Sequence, residues 1–297
     1  MLGAAAASRS GIFLPVREAM ERRFGIYALI APAAMLFATF FIAPFVYFFV
    51  ISFWRVRSYR LSPDFTIANY VKAATSYLGI GLLTIGVATA VALLSVVLAL
   101  IYTGIIRFKA GRYGPFLLYV PLITMFGGYL VKIYAWKTIL GNEGILNTAL
   151  LALGLIEQPI TALLYSPGAV LVTLLYFLLP FAILPIYASM RGITDIELDA
   201  ARDLGATGWR RLNDIIIPRC KHGLIAAFIV CFLLTVGDYV TPILVGGKVT
   251  LIGNLIAPQF GQYFNWPLGA AMSFLTLLVA AIMILLFRVL LNAWQPR

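Results

Sequence analysis

Ionisable side chains are scarce in this 297-residue chain, and where they fall decides what chemistry it can do. Asp238 is the one acid inside or at the edge of a long apolar run, with Tyr239 and Thr241 beside it. An aspartate at the centre of a membrane helix costs about 3 kcal/mol on insertion scales, so it should face protein or a water-filled path. One reading has Asp238, Tyr239 and Thr241 touching a cationic solute in transit, with Tyr134 and Trp136 adding cation–π contacts of about 0.5–2 kcal/mol. A second has Asp238 capping a helix break at Gly237 or pairing with Lys132. The densest cluster of charge runs from Asp195 to Arg219 and holds nine of the 33 charged residues (22 Lys+Arg, 11 Asp+Glu). Nucleophilic and acid–base chemistry is poorly provided for, because His222 is the single histidine and reads as a membrane-interface residue. Cys220 and Cys231 make neither a disulfide framework nor a metal knot. No His/Cys/Asp/Glu cluster has metal-ligand spacing, so neither metal nor cofactor is expected. No G-x-x-x-x-G-K-[ST] occurs, so the chain itself does not cradle ATP in the Walker manner and is not expected to be an enzyme.

The elements that position these residues are membrane helices. Hydrophobic residues make up 62% of the chain and charged residues 11%, against about 25% charged in soluble domains. A bilayer core about 30 Å thick takes about 20 apolar residues as helix, and the apolar runs here are continuous rather than alternating. The fold class is therefore all-α, a polytopic helical bundle with six transmembrane helices. The spans fall within 24–54, 73–106, 113–136, 165–190, 223–245 and 268–287. Pro180 and Pro185 should kink the fourth, and the fifth carries Asp238. Gly81, Gly86 and Gly104, with Gly127 and Gly128, should let helices pack closely. Asn142, Glu143 and Asn147 follow the third span and fit a re-entrant turn better than a docking surface.

Basic residues orient the bundle. Fifteen Lys and Arg lie in the N-terminal tail, 107–112, 191–221 and the C-terminal side, against seven in the intervening segments. That split places both termini and the 191–221 loop in the cytoplasm, although Arg55, Arg57 and Arg60 on the other side dilute the bias. The formal net charge of +11 follows from this asymmetry and calls for no nucleic acid. Residues 1–23, which contain Glu18 and Glu21, read as a cytoplasmic tail rather than a cleaved signal. The membrane domain then spans 24–291, with a short cytoplasmic tail at 292–297.

Within the charged island, Thr194-Asp195-Ile196-Glu197 has capping-box form, with acids where the helix macrodipole favours them. Ile196, Ala200 and Leu204 recur at four-residue intervals as an apolar stripe. Gly205 ends the helix. A second short helix is predicted from Thr207 to Ile217, stopped by Pro218. Small residues at 200, 201 and 205 would let a partner surface approach closely. An amphipathic helix lying on the membrane surface is the competing reading.

The residues of this island carry a family resemblance. Asp199-Ala200-Ala201, then Gly205-Ala206, then Ile215 and Ile217-Pro218 resemble the EAA loop of bacterial ABC importer permeases, with Asp199 where Glu is usual and Leu212 where Phe is common. YAWKTILGNEGILN (134–147), GDYVTPILVGG (237–247) and LIGNLI with WPLGAA (251–271) look like the permeases of spermidine/putrescine-type importers, and the likeness runs from about 24 to 287. It implies a type I permease fold in the bacterial inner membrane. It also implies partners: a second homologous permease, two copies of a cytoplasmic ABC ATPase and an extracytoplasmic solute-binding protein. Glu197, Asp199, Ala200, Ala201, Leu204, Gly205, Ala206, Ile215 and Pro218 would then form the ATPase-coupling element. ATP-driven closure would rock the permeases between outward- and inward-facing states.

Function therefore reads as ATP-driven import of a small solute, a polyamine such as spermidine or putrescine, or another small solute such as an amino-acid derivative or opine. A secondary transporter driven by an ion gradient is the alternative from another class. It would draw on intramembrane ionisable groups, of which Asp238 and Lys132 are the only two at hand. A membrane enzyme would need at least two convergent catalytic groups.

Overall fold

The computed structural model describes residues 30–57 and 60–293. The predicted tail at 1–23 lies outside these residues, as does most of the one at 292–297. Among the described residues five helices are long and apolar enough to cross a membrane, α1 (Ile30–Ile51), α3 (Leu78–Phe108), α7 (Pro167–Met190), α9 (Gly208–Val236) and α12 (Trp266–Ala293), and a bent pair over 111–152 makes a sixth when taken as one broken span. Shorter helices lie between them. They are α2 (Ala68–Ser76), α4 (Gly114–Met125), α5 (Tyr129–Leu140), α6 (Ile145–Ala152), α8 (Asp195–Asp203), α10 (Val240–Val245) and α11 (Ile252–Gly261). A two-stranded antiparallel hairpin, β1 (Arg55–Arg57) with β2 (Arg60–Ser62), is the one sheet among the described residues. An ion pair of 2.8 Å between Arg57 and Asp64 lies beside it.

The core is built by α3, α7 and α9, which pack against one another. Ala88, Ala92 and Ala99 on α3, Ala182 on α7 and Ala227 on α9 are fully buried. In a bilayer the flanking lipid is as apolar as leucine, so helices associate through close packing of small residues. Gly223 provides the tightest approach, since a Cβ there would stand 2.4 Å from the Pro185 carbonyl oxygen and 2.5 Å from Ser189 Oγ. In contrast to the sequence expectation, Gly81, Gly86 and Gly104 face open space, with nothing within 4 Å of an added Cβ. Helix α12 joins the core through Phe228 and Phe287, stacked at 3.8 Å, and α1 lies against α12 through Phe45 and Phe49 on Phe274.

Three expected helix limits also differ. The third span is not one helix from 113 to 136, because the chain turns by 99° between Met125 and Tyr129. Gly127 and Gly128 together disfavour a continuous helix, and Gly128 adopts ψ 140° at the start of α5. The fifth span likewise ends at Val236 and restarts as α10, so 223–245 is a broken segment. Pro218 does not stop a second short helix. Residues from Gly208 to Val236 form one helix, with a π turn at Leu212–Ile216 leading into Ile217-Pro218. The wider π turn opens the hydrogen-bond ladder just where proline has no N–H to donate. The same device recurs in α1, where a π turn at Ala38–Ile42 runs into Ala43-Pro44. Helix α7 carries Pro180 and Pro185 without a break.

Candidate functional sites

At the charged island, local sequence and observed geometry agree closely. Thr194 Oγ1 accepts from the Glu197 N–H, and Glu197 Oε2 accepts from the Thr194 N–H, both at 3.3 Å. This is the capping box read from the sequence. At the other end Gly205 sits at φ +81°, the left-handed region where glycine alone escapes the Cβ penalty. The Ala206 N–H donates to the Ala201 carbonyl and the Gly205 N–H to the Arg202 carbonyl, each at 2.9 Å. Together these make a Schellman closure. Thr207 Oγ1 then caps α9 by accepting from the Arg210 N–H.

Orientation of α8 follows from which face is buried. Leu198 and the preceding Ile193 turn into the core, while Ile196 is 80% and Leu204 89% exposed. Asp199 and Ala200 share that outer face, with Ala201 and Ala206 half-buried. The apolar stripe of 196, 200 and 204 is thus an uncovered face rather than the helix's attachment to the bundle. Ile215 and Pro218 lie half-buried in the π turn and just after it. Glu197 has both carboxylate oxygens engaged within the chain, one by the Thr194 N–H and the other by Arg219.

The second site lies at the break between α9 and α10. Asp238 is only 8% exposed. Its Oδ1 accepts from the Val240 N–H at 2.9 Å, the Thr241 N–H at 3.2 Å and the Tyr129 hydroxyl at 2.6 Å. The helix-break cap expected as one reading of Asp238 is the arrangement found. Among the described residues, no ion pair joins Asp238 to Lys132. Lys132 is itself 7% exposed, with its ammonium 5.1 Å from the centre of the Phe177 ring. Phe177 in turn packs on Tyr129 at 4.7 Å. The other carboxylate oxygen, Oδ2, is buried without a hydrogen-bond partner.

Asp238 borders a cavity of about 230 Å³ whose walls include Tyr129, Phe177, Gly237 and Tyr239. Its lining is mostly apolar, with Leu174, Leu178, Leu234 and Val240 completing the wall, and Asp238 is the one charged residue among the three aromatic rings. Thr241 is fully buried, with its hydroxyl 2.8 Å from that of Tyr129, and Tyr239 is about half exposed with its carbonyl accepting from Asn254. Trp136 stands two turns along α5 from Tyr129 with its edge on Tyr176. Tyr134 is half exposed near Lys137. Neither borders the cavity. The residues that sequence reasoning missed are Tyr129 and Phe177, 109 and 61 positions from Asp238 respectively. Nothing in the local pattern marks them. Asn147 is fully buried and clamps its loop by bonding Gly141 and Ile160, in keeping with a structural turn.

The fold recurs among solved structures. The chain superposes on a bacterial ABC transporter that imports the acidic polysaccharide alginate, with a TM-score of 0.68 at 16% identity, covering 94% of this chain and 98% of the other. No protein-family model matches the chain. Among curated proteins, it is 34% identical over 225 residues to the spermidine/putrescine transport system permease PotB of Escherichia coli K12, covering 75% of this chain and 82% of that one. PotB of Haemophilus influenzae is 39% identical over 179 residues, 62% of that protein's length. The inner membrane ABC transporter permease YdcU of Escherichia coli K12 is 30% identical over 274 residues, 87% of each chain. The chain belongs to the family of ABC importer permeases that contains PotB. It is a multi-pass protein of the inner membrane, and permease subunits of this family are not themselves enzymes.

Proposed function

We propose that this chain is one permease half of an ABC importer that takes up a polyamine or a similar small cation. The observation that carries the reading is the uncovered apolar face of α8, capped at both ends and presented by a membrane bundle. A stable helix with Ile196 and Leu204 turned to water calls for a partner surface. In this reading the partner is a cytoplasmic ATPase, present in two copies, one under each permease. A second homologous permease completes the pathway, and a solute-binding protein delivers the solute from outside. The island and both termini face the cytoplasm, as the distribution of Lys and Arg supports.

Asp238 serves the solute route. It supplies negative charge beside an aromatic cavity, with Tyr239 at the rim and Thr241 supporting the Tyr129 hydroxyl. Tyr134 and Trp136 lie further along α5 and meet the solute at another stage. The kinship with PotB supports the polyamine as cargo, and the chemistry at Asp238 is compatible with an ammonium group.

Uptake of radiolabelled spermidine by cells and by reconstituted vesicles tests this. Uptake should require ATP and the associated ATPase and should survive collapse of the proton gradient. Transport that persists without any ATPase, and stops when the gradient is removed, refutes the reading in favour of a secondary transporter.

A further inference from the structure

The helix α8 is fastened to two different spans by charge. Arg107, in the last turn of α3, donates to the Ile193 carbonyl at 2.9 Å and ion-pairs with Asp195 at 3.1 Å. Arg219, near the start of the apolar part of α9, ion-pairs with Glu197. Asp195 and Glu197 are the first and third residues of α8, so both arginines grip the same N-terminal turn from opposite neighbours. Leu198, one residue on, is buried in the core. The far end of α8 carries the exposed Leu204 and closes on Gly205.

This arrangement is a lever with its fulcrum at one end. Without the arginines, α8 would be held by Leu198 and by two short connections, 191–194 and 204–207, about whose bonds it could pivot. With them, rotation of α8 alone has to break both ion pairs. A displacement applied at Leu204 therefore also pulls on the ends of α3 and α9, two of the three helices that form the core. Both ion pairs are solvent-accessible, Arg107 with 24% and Arg219 with 55% of its side chain exposed. Pairs of that kind contribute little to folding, so losing them should leave the bundle folded while loosening α8 from α3 and α9.

We infer that Arg107 and Arg219 are positioning residues that couple the motion of α8 to α3 and α9, and so link ATP hydrolysis to solute passage. The inference rests on the reading of α8 as the ATPase-docking helix, and neither arginine need touch the ATPase or the solute.

The test uses the whole importer in proteoliposomes, with radiolabelled spermidine as the transported probe and phosphate release as the measure of hydrolysis. The variants are Arg107→Gln with Arg219→Gln, and Arg107→Lys with Arg219→Lys. In the glutamine variant the ATPase should still co-purify and hydrolysis should stay within about twofold of wild type. Uptake should fall by about tenfold or more, so more ATP is spent per solute carried. The lysine variant, which keeps both charges, should recover most of the uptake. An unchanged ratio of ATP to solute overturns the inference, as does a parallel fall in uptake and hydrolysis, or a lysine variant no better than the glutamine one. Loss of the ATPase from the glutamine variant also overturns it, because the arginines would then serve docking. Absence of ATP-driven uptake in the wild-type assembly would instead defeat the importer reading itself.

Discussion

Replacing Asp238 separates its two roles, because alanine and asparagine remove different things. In Asp238→Ala the Val240 and Thr241 N–H groups lose their cap, at about 1 kcal/mol. The Tyr129 hydroxyl loses a charged acceptor, worth about 1.5–3 kcal/mol. Part of this is offset, since Thr241 remains 2.8 Å from Tyr129 and the partnerless Oδ2 is removed with the rest. The net loss should be about 2–4 kcal/mol, within the range for breaking a buried polar network. Asparagine keeps a carbonyl oxygen for all three donors and is itself a good cap, so its cost should be about 1 kcal/mol. It nevertheless removes the negative charge beside the cavity. Unfolding midpoints of the purified permease should therefore rank wild type, then asparagine, then alanine. Spermidine uptake should fall sharply in the asparagine variant while ATPase co-purification is preserved. Equal midpoints for the two variants would refute the capping argument, and normal uptake by Asp238→Asn would refute the role of charge in the route.

Other outcomes follow from the same geometry. Gly223→Val places a side chain within 2.4 Å of the Pro185 carbonyl oxygen, and prising α7 from α9 should cost about 1–3 kcal/mol in the same unfolding assay. Gly81→Ala, with nothing within 4 Å, should hold or slightly raise the midpoint, since alanine favours the helix, and serves as its control. Leu204→Asp and Ile196→Asp alter residues that are already mostly in water, so the bundle should fold normally. Co-purification of the ATPase should nevertheless be lost, and its retention in both variants would count against α8 as the docking helix.

The placement of apolar stretches and the shape of the charged island were legible in the sequence. Long uncharged runs need no knowledge of their neighbours to be read as spans. The capping box at Thr194 and Glu197 and the helix end at Gly205 depend only on residues a few positions apart. The breaks in the third and fifth spans were harder to place. Their signals, Gly127-Gly128 and Gly237-Asp238, were visible, but glycine is tolerated within membrane helices as well as at their ends. Pro218 misled for a related reason. Proline can follow a π turn and open a helix as readily as it can end one.

What the chain's own order determined, then, is which segments enter the membrane and which one stays wet, because both follow from the local density of charge. Only the tertiary structure decided that Tyr129 meets Asp238, that Phe177 lies between Tyr129 and Lys132, and that Arg107 reaches Asp195. These pairings depend on how far each helix is rotated about its axis. A helix apolar on every side offers no stripe from which that rotation could be read. The packing of small residues among α3, α7 and α9 sets it, and with it the polar contacts on which the proposed function depends.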